Sequence, residues 1–331
     1  MKAIILDRYG SNDVVRAGNM PDPDCGRNDV LVQIHAASIN PVDFKIRDGK
    51  LKLVLPLRFP FILGSDLAGV VVRAGSGVQR FKPGDEIYAR PYGIGAFAEF
   101  IAIKEDAVAI KPKQLTMEES ASIPLIGLTA WQALVERANL KTGQKVLIHA
   151  GSGGVGTFAI QLANHLGAFV ATTTSTANLD WVQRLGADIV IDYKTDDFAK
   201  ILRDYDVVLD TLGGETLKQS IRVLKAGGKI ISISGPPDPD FARSIGAGWV
   251  VRQAMRLMSY RIRKSAKRHH VSYSFLFMRP SGDQLREIGS LIDAGVIRPV
   301  VDRVFPFAST KEALAYVEKG HAKGKVIVKV R

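Results

Sequence analysis

Three glycines stand at a fixed spacing in the segment His149–Gly156. Gly151, Gly153 and Gly156 give the pattern G-x-G-x-x-G, after the apolar strand pattern of residues 145–149 and at the start of a helical pattern. In this context the first glycine permits a tight turn, the second lets the backbone approach a pyrophosphate, and the third lets the helix pack on the sheet. Backbone N–H groups and the helix dipole would then meet the phosphate charge. The segment predicts a dinucleotide site rather than a turn that binds nothing.

The strand that follows bears on which dinucleotide binds. In NAD-binding folds an Asp or Glu roughly 20 residues past the loop usually holds the ribose hydroxyls. Residues 172–176 read TTTST instead, and the first acid downstream is Asp180. A missing carboxylate removes repulsion against a 2′-phosphate, and hydroxyl groups can donate to it, although no Lys or Arg stands there. The sequence favours NADP (NADPH), with NAD as the alternative.

Two different sequence patterns along the chain indicate which secondary-structure elements position these residues. Residues 1 to about 120 contain short β-rich runs separated by Gly and Pro turns, which predicts a partly open β-barrel. From about residue 120 continuous apolar strands alternate with helical patterns, which indicates a doubly wound parallel sheet. The fold class is therefore α/β.

Composition narrows the classes of protein further. The 331 residues are 46% hydrophobic and include one cysteine, Cys25, so an intrachain disulfide and every cysteine-rich zinc site are excluded. No apolar run approaches the roughly 20 residues of a membrane span, and the first residues lack a signal-peptide pattern. We therefore expect a cytoplasmic location.

Positive charge is concentrated in one segment. The net charge is +12, yet residues 243–268 contain eight Lys or Arg and no Asp or Glu. Such a segment is either a solvated helix face or a surface for nucleic acid, anionic lipid or an anionic cofactor.

Short motifs in a characteristic order resemble the zinc-independent quinone oxidoreductase (zeta-crystallin-like) and enone reductase branch of the medium-chain dehydrogenase/reductase family. The resemblance runs nearly end to end. Its marks are Asn40-Pro41-Val42-Asp43, Gly64-Ser65-Asp66-Leu67-Ala68-Gly69, Pro83-Gly84-Asp85-Glu86, Gly95-Ala96-Phe97-Ala98-Glu99, Ala150 to Gly156, Leu185-Gly186-Ala187-Asp188 and Ile191-Asp192-Tyr193.

This resemblance implies a domain organisation. A GroES-like catalytic domain would comprise residues 1–120 and 265–331, and a Rossmann nucleotide-binding domain residues 121–264, with the active site in a cleft between them. Zinc enzymes of the family have a cysteine where this chain has Asn40 and a histidine where it has Ser65, and a third ligand near residues 125–127, which are apolar here. The sequence therefore predicts no metal.

The resemblance also implies roles for particular residues. Catalytic candidates near substrate and nicotinamide are Asn40, Asp43 and Lys45, of which Lys45 replaces a tyrosine common among quinone reductases. Asn40 and Asp43 are alternatively turn-stabilising residues, and Lys45 alternatively a solvated side chain. The implied cofactor-binding residues are Thr129, Gly151, Ser152, Gly153, Gly154, Val155, Gly156, Thr174, Ser175, Tyr193, Ser234, Gly235, Phe275, Leu276 and Phe277. Ala177 stands where many NADPH-dependent members have a lysine, which weakens the expected NADP preference.

Without a Lewis acid, hydride delivery suits an acceptor that is already electron-poor. We therefore expect an NAD(P)H-dependent enzyme that reduces a quinone or an α,β-unsaturated carbonyl. The alternative is a catalytically weak NADPH-binding protein whose segment 243–268 binds RNA or an anionic membrane surface. An apolar strand at 270–278 predicts sheet extension across a two-fold axis, and hence a homodimer.

Overall fold

The computed structural model describes residues 1–52 and 55–331 and divides into two compact units. One unit comprises Met1–Leu128 with Arg279–Arg331, and the other comprises Thr129–Met278. The predicted boundary at 264/265 is corrected to 278/279, because the strand at 272–275 pairs with the sheet of the second unit. The first boundary lies at 128/129, inside a helix, rather than at 120/121.

The first unit is mainly antiparallel β-structure. In its described residues the larger sheet has the order β15-β16-β3-β5-β6-β8, with β7 also paired to β3, and a smaller sheet has the order β2-β1-β4. The strands are β1 (Lys2–Leu6), β2 (Val15–Asn19), β3 (Asp29–Ile39), β4 (Phe61–Ile62), β5 (Asp66–Ala74), β6 (Glu86–Ala89), β7 (Phe100–Lys104), β8 (Val108–Ile110), β15 (Val301–Pro306) and β16 (Lys325–Lys329). The helices are α1 (Pro41–Arg47), α2 (Met117–Ala121), α11 (Gly282–Asp293) and α12 (Thr310–Glu318). Alternating buried residues of β3, such as Val30, Val32 and Ile34, enter the core of this unit.

The second unit is built on one parallel sheet. Its strand order is β11-β10-β9-β12-β13-β14, and every neighbouring pair is parallel. The strands are β9 (Lys145–Ile148), β10 (Phe169–Thr174), β11 (Ile189–Asp192), β12 (Tyr205–Asp210), β13 (Leu224–Ser232) and β14 (Ser272–Phe275). This order reverses direction between β9 and β12, the switch point at which doubly wound folds bind ligands. The predicted doubly wound sheet is confirmed.

Helices connect these parallel strands. Helix α3 (Pro124–Trp131) crosses the unit boundary and continues into a π-helical segment, Gln132–Arg137. The others are α4 (Gly154–His165), α5 (Leu179–Gln183), α6 (Phe198–Ile201), α7 (Gly214–Ser220), α8 (Pro239–Ser244), α9 (Trp249–Met258) and α10 (Tyr260–Arg268). The basic segment of the sequence therefore forms α9 and α10 with the end of α8. Among the described residues no helix is both long and apolar enough to span a bilayer.

Candidate active site

The glycine turn, residues 149–156, lies between β9 and α4 in the second unit. Gly151 N donates to Thr173 O at 2.9 Å, and Gly153 N donates to Ala150 O at 2.9 Å. Helix α4 begins at Gly154 with Gly153 as its N-cap, and no side chain caps it. The first N–H groups of the helix are therefore available to a ligand. Ser152 to Val155 are partly exposed, as a phosphate-binding turn requires.

The three motif glycines differ in what a side chain would meet. A Cβ at Gly156 would overlap the carbonyl oxygen of Ala150, and one at Gly151 would overlap the hydroxyl of Thr172. A Cβ at Gly153 would lie 3.3 Å from Ala150 O, with no other heavy atom within 4 Å. Gly151 and Gly156 are therefore required by the fold of the turn, whereas Gly153 keeps space open for a ligand. This open space fits a pyrophosphate.

His149, at the head of the turn, is a residue whose role the motif did not reveal. It is fully buried, with Nδ1 3.1 Å from Thr173 Oγ1 and Nε2 2.8 Å from Ser220 Oγ. Because Ser220 donates its own proton to Thr216 O at 2.7 Å, it accepts from Nε2–H. Burial lowers the pKa of His149 to about 3, so the ring is neutral. His149 follows β9, and Ser220 ends α7, 71 residues later, so the spacing of the motif could not predict this contact.

The end of β10 forms the predicted adenosine side. Thr174 Oγ1 is buried and has no hydrogen-bond partner among the described residues, while Ser175 is half-buried and Tyr193 is exposed. Tyr193 N donates to Thr174 O at 3.0 Å, so these residues adjoin. An unpaired buried hydroxyl is costly unless a ligand meets it, which fits a nucleotide here.

A carboxylate that the second-strand prediction did not consider also lies here. Asp192, at the end of β11, pairs in register with Thr174 and accepts hydrogen bonds from Thr176 Oγ1 at 2.5 Å and Lys194 N at 3.0 Å. These bonds lower the pKa of Asp192, the Thr176 bond contributing most. The motif Ile191-Asp192-Tyr193 contained the signal, because adjacent parallel strands end at the same edge.

The ends of β13 and β14 bring the remaining predicted residues together. Ser234 Oγ donates to Thr211 O at 2.8 Å, and Thr211 Oγ1 donates to His149 O at 3.0 Å. Gly235 N donates to Ser232 Oγ at 2.7 Å, and Leu276 N donates to Ser232 O at 2.9 Å. These bonds connect the end of β9, where the turn begins, to the ends of β12, β13 and β14.

Three further predicted residues take different positions. Phe275 is partly buried against Phe241, with ring centroids 5.1 Å apart, and Leu276 is buried. Phe277 is 43% exposed, with its ring 5.8 Å from that of Phe241. Thr129 is buried in α3, the first residue of its unit.

Two predicted catalytic residues, Asn40 and Asp43, lie in the first unit and form the start of α1. Asn40 N donates to Asp43 Oδ2 at 2.7 Å, and Ser65 Oγ donates to Asp43 Oδ1 at 2.7 Å. The pair forms a capping box, and both residues are buried. The turn-stabilising interpretation of Asn40 and Asp43 therefore describes their local contacts.

A buried lysine completes this group, which we call the buried polar cluster: Ser38, Asn40, Asp43, Ser65, Asp66 and Lys325. Lys325 Nζ donates to Asn40 Oδ1 at 2.6 Å and to Ile39 O at 3.0 Å, and lies 3.5 Å from Asp66 Oδ2. Asp66 accepts from Ser38 Oγ, Asn40 Nδ2 and Leu125 N at 3.0, 2.8 and 2.9 Å.

Burial changes the proton affinity of the cluster. Burial raises the pKa of Asp43 to about 6, with a contribution from Asp66, although the hydrogen bonds from Ser65 and Asn40 and the charge of Lys325 oppose the rise. Burial lowers the pKa of Lys325, against the opposing attraction of Asp66 and Asp43. The ammonium group of Lys325 pairs with Asp66, whereas the Asp43 carboxyl is held by neutral donors, Asn40 N and Ser65 Oγ.

Two residues of the cluster, Asn40 and Ser65, stand where the sequence resemblance places zinc ligands, and their contacts do not fit zinc. Asn40 Oδ1 already faces the ammonium group of Lys325, and the Ser65 hydroxyl donates to Asp43. Zinc sites use thiolate, imidazole or carboxylate ligands in a tetrahedral arrangement. In residues 1–52 and 55–331 no three His, Cys, Asp or Glu side chains are grouped so as to hold a metal.

Lys45, the third catalytic candidate, differs from the cluster in its surroundings. It is exposed on α1, whereas Ile46 and Arg47 beside it are buried. Its exposure is what the alternative interpretation, a solvated lysine, predicts.

Two family models match this chain. A profile of the alcohol dehydrogenase GroES-like domain matches residues 26–113, and a zinc-binding dehydrogenase profile matches residues 185–328. The quinone oxidoreductase of Coxiella burnetii superposes with a TM-score of 0.85 at 34% identity, covering 100% of this chain and 99% of that one. The GroES-like and Rossmann fold is confirmed.

Two curated relatives narrow the family. The zebrafish (Danio rerio) mitochondrial NAD(P)H oxidoreductase RTN4IP1 is 38% identical, covering 100% of this chain and 91% of the relative. The chloroplastic NADPH-dependent alkenal/one oxidoreductase of Arabidopsis thaliana is 35% identical, covering 99% and 79%. The chain belongs to the medium-chain dehydrogenase/reductase family, in its branch of quinone oxidoreductases and enone reductases. It is an oxidoreductase, as the sequence resemblance predicted, and the weak-catalyst alternative is not favoured.

The expected cytoplasmic location is wrong by the same comparisons. Both relatives match nearly the whole of this chain, and their names place them in the mitochondrion and the chloroplast. The expectation depended on the absence of a signal-peptide pattern, which does not report on organelles of this kind.

Proposed function

We propose that this protein transfers hydride from NADPH to a quinone or an α,β-unsaturated carbonyl without zinc. The observation that carries the proposal is the glycine turn, where Gly153 keeps space open beside the uncapped start of α4. The names of the two relatives, an NAD(P)H oxidoreductase and an NADPH-dependent alkenal/one oxidoreductase, support it. The dinucleotide supplies the hydride, and the protein supplies position and polarity.

Different residues of the second unit would bind different parts of the dinucleotide. Backbone N–H groups of Ser152 to Val155 would bind the pyrophosphate, with the α4 dipole adding to the attraction. Thr174, Ser175 and Tyr193 would surround the adenosine ribose and its 2′-phosphate. Ser234, Gly235 and Phe275 to Phe277, at the ends of β13 and β14, would hold the nicotinamide half, and Thr129 would approach the same half.

The three catalytic candidates would have two different roles. Lys45, which is exposed, would donate a hydrogen bond to the acceptor's carbonyl oxygen, where negative charge develops as hydride arrives. Asn40 and Asp43 are buried, so they would act by fixing the start of α1 and thereby the position of Lys45. The proton that completes the reduction would come from solvent or from Lys45.

Cofactor choice follows from two opposing features at the end of β10. Thr174 Oγ1 is unpaired and can donate to a 2′-phosphate, and β10 ends without a carboxylate. Asp192 places a negative charge beside Thr176, and Ala177 supplies no cation. We propose a preference for NADPH over NADH that is moderate rather than strict.

The test is oxidation of NADPH and NADH, followed by absorbance, against a panel of quinones, alkenals and enones, before and after chelator treatment. We expect turnover with at least one acceptor class, a higher kcat/KM with NADPH, and no loss after chelation. Activity lost on chelation and restored by zinc would refute the zinc-free mechanism. Lack of turnover across the panel by a protein that binds NADPH would refute the acceptor class.

We also propose a homodimer. Strand β14 is the last strand of the sheet in Thr129–Met278, and a strand at a sheet edge offers N–H and C=O groups to a second chain. Sedimentation at micromolar concentration would show twice the chain mass, and a monomer mass would refute the proposal.

A further inference from the structure

Helix α9 packs very little of its surface against the protein. Met255 is its one buried residue, and the exposed fractions of Trp249, Val250 and Leu257 are 73%, 63% and 75%. Single exposed apolar residues are ordinary, but a contiguous set on one helix indicates a contact surface.

The exposed apolar residues of α9 share one face. Val250, Ala254, Leu257 and Met258 follow the spacing i, i+4, i+7, i+8, which places them along one side of a helix. All four are exposed, and we call them the α9 apolar face. Arg252 and Arg256 lie on a different side, so α9 is amphipathic with its apolar side turned away from the protein core.

The basic residues border a cavity of about 810 Å³. We call it the basic cavity, because its lining includes Arg243, Arg252, Arg256, Arg263, Lys267 and His270. Two acids also line it, and both are engaged: Asp240 pairs with Arg243, and Asp238 accepts from Phe241 N and Phe275 N. The potential in the cavity is therefore positive, which suits phosphate groups.

Helix α10 extends this charge over the neighbouring surface. Arg261, Lys264 and Arg268 are exposed there, and residues 243–268 contain no acidic residue to offset them. A single segment of chain thus carries both an apolar face and a dense positive charge.

We propose that the α9 apolar face and the basic cavity form a docking surface for an anionic lipid membrane. The apolar face would enter the boundary between headgroups and acyl chains, while the basic cavity and α10 would bind lipid phosphates. Such docking would hold the enzyme at a surface where apolar acceptors concentrate. The proposal goes beyond the catalytic function and does not depend on it.

Two other occupants fit the surface less well. In a two-fold dimer built on the α9 apolar face, the basic residues of α9 and α10 in one copy would approach those of the other, and the like charges would repel. Single-stranded nucleic acid would need aromatic platforms, yet Trp249 and Tyr260 are the aromatic residues of the segment 243–268, and Val250, Leu257 and Met258 would be left uncovered.

The test is co-sedimentation of the whole protein with vesicles. One set contains phosphatidylcholine alone and the other phosphatidylcholine with phosphatidylglycerol. We expect binding to the anionic vesicles, weakening as salt is raised, and little binding to the neutral ones. Leu257→Glu and Arg256→Glu should each weaken binding at least about tenfold, since one removes apolar insertion and the other reverses a charge.

Matched controls lie elsewhere on the same unit. Ile201 is 51% exposed on α6, and the Lys200 side chain beside it is 83% exposed. Ile201→Glu and Lys200→Glu make the same changes outside the docking surface and should leave vesicle binding unchanged. All four positions are exposed, so circular dichroism should show a native fold in every variant.

Several results would overturn the proposal. These are equal binding to neutral and anionic vesicles, no binding to either, or equal loss in the Leu257→Glu and Ile201→Glu variants. A mass that halves in solution on Leu257→Glu would show that a second copy covers the face. Tighter binding of single-stranded RNA than of anionic vesicles at the same salt concentration would show that the basic segment serves nucleic acid.

Discussion

The glycine turn and the buried polar cluster place polar groups by opposite means. The turn presents backbone N–H groups beside open space, and it works because side chains are absent. The cluster consists of buried side chains that hydrogen-bond to one another, and its stability depends on the presence of each partner. The turn should therefore be sensitive to added atoms and lose binding, whereas the cluster should be sensitive to a missing partner and lose stability.

The largest expected effect is on the cluster, with Lys325→Met. Removal of the ammonium group leaves Asp66 and Asn40 Oδ1 buried without their cation, and breaking a buried ion pair costs about 3–5 kcal/mol. Lys329→Met is the matched control on the same strand, because Lys329 pairs with Glu118 in an exposed setting where a pair contributes about 0–1 kcal/mol. Urea unfolding followed by circular dichroism measures both. Equal destabilisation by the two variants would contradict the contrast.

The next effect concerns the turn, with Gly153→Asp. A Cβ at this position would meet Ala150 O alone, at 3.3 Å, a close contact that a shift of a few tenths of an ångström relieves. The variant should therefore fold, but a carboxylate would occupy the space for the pyrophosphate and repel it. We expect NADPH affinity to fall at least about a hundredfold, or about 2.8 kcal/mol, by fluorescence titration. Gly153→Ala is the control and should retain much of the affinity. Unchanged affinity in a folded Gly153→Asp variant would remove the site assignment.

A third prediction tests how burial in the cluster shifts the pKa of Asp43. The pKa of Asp43 is about 6 in the folded chain, above its ordinary value of 3.8, so the folded state holds this proton more tightly than the unfolded chain. The stabilisation from that proton is complete below about pH 4 and is lost as the pH rises through 6.

Relative to Asp43→Asn, the wild-type protein should therefore lose stability between pH 4 and 6, on the order of 1–2 kcal/mol, and show a constant difference above pH 7. Urea midpoints across this range measure the difference, in which the titration of groups distant from Asp43 cancels. A difference that rises with pH would mean that the Asp43 carboxyl is stabilised as an anion instead.

How much of each region could be predicted from the sequence follows from the same contrast. The turn was predictable because its requirements are local: Gly151, Gly153 and Gly156 lie within six residues, between a strand and a helix. The cluster was predictable only in its first part, where Asn40 and Asp43 form a capping box. Lys325 is 285 residues from Asn40 in the chain, so its contact depends on the pairing of β16 with β3, which no local pattern encodes.

The second boundary and Asp192 show the same limit. The strand at 270–278 was predicted, but its partner was not used to place the boundary, which lies at 278/279 because β14 pairs with β13. Asp192 stood in a recognised motif, but its closeness to Thr176 arises from the register of β10 and β11. In each case the sequence predicted the strand but not the strand with which it pairs.

The smallest expected effect is on the choice between NADPH and NADH, which depends on residues that follow β10. Ala177 is exposed, one residue before Asn178 in the short helix that follows β10, so a lysine there would find room. A charge-assisted hydrogen bond contributes about 1.5–3 kcal/mol, and Ala177→Lys should raise the ratio of kcat/KM for NADPH over NADH about tenfold. Ala177→Met is the matched control, since it adds length without charge and should leave the ratio near that of the wild type.

Ser175→Asp should reverse the preference towards NADH, because a second carboxylate beside Asp192 would repel a 2′-phosphate while accepting from ribose hydroxyls. Both ratios are measured against one quinone, and a wild-type ratio that favours NADH would show that Asp192, rather than the hydroxyl-rich end of β10, decides which cofactor binds.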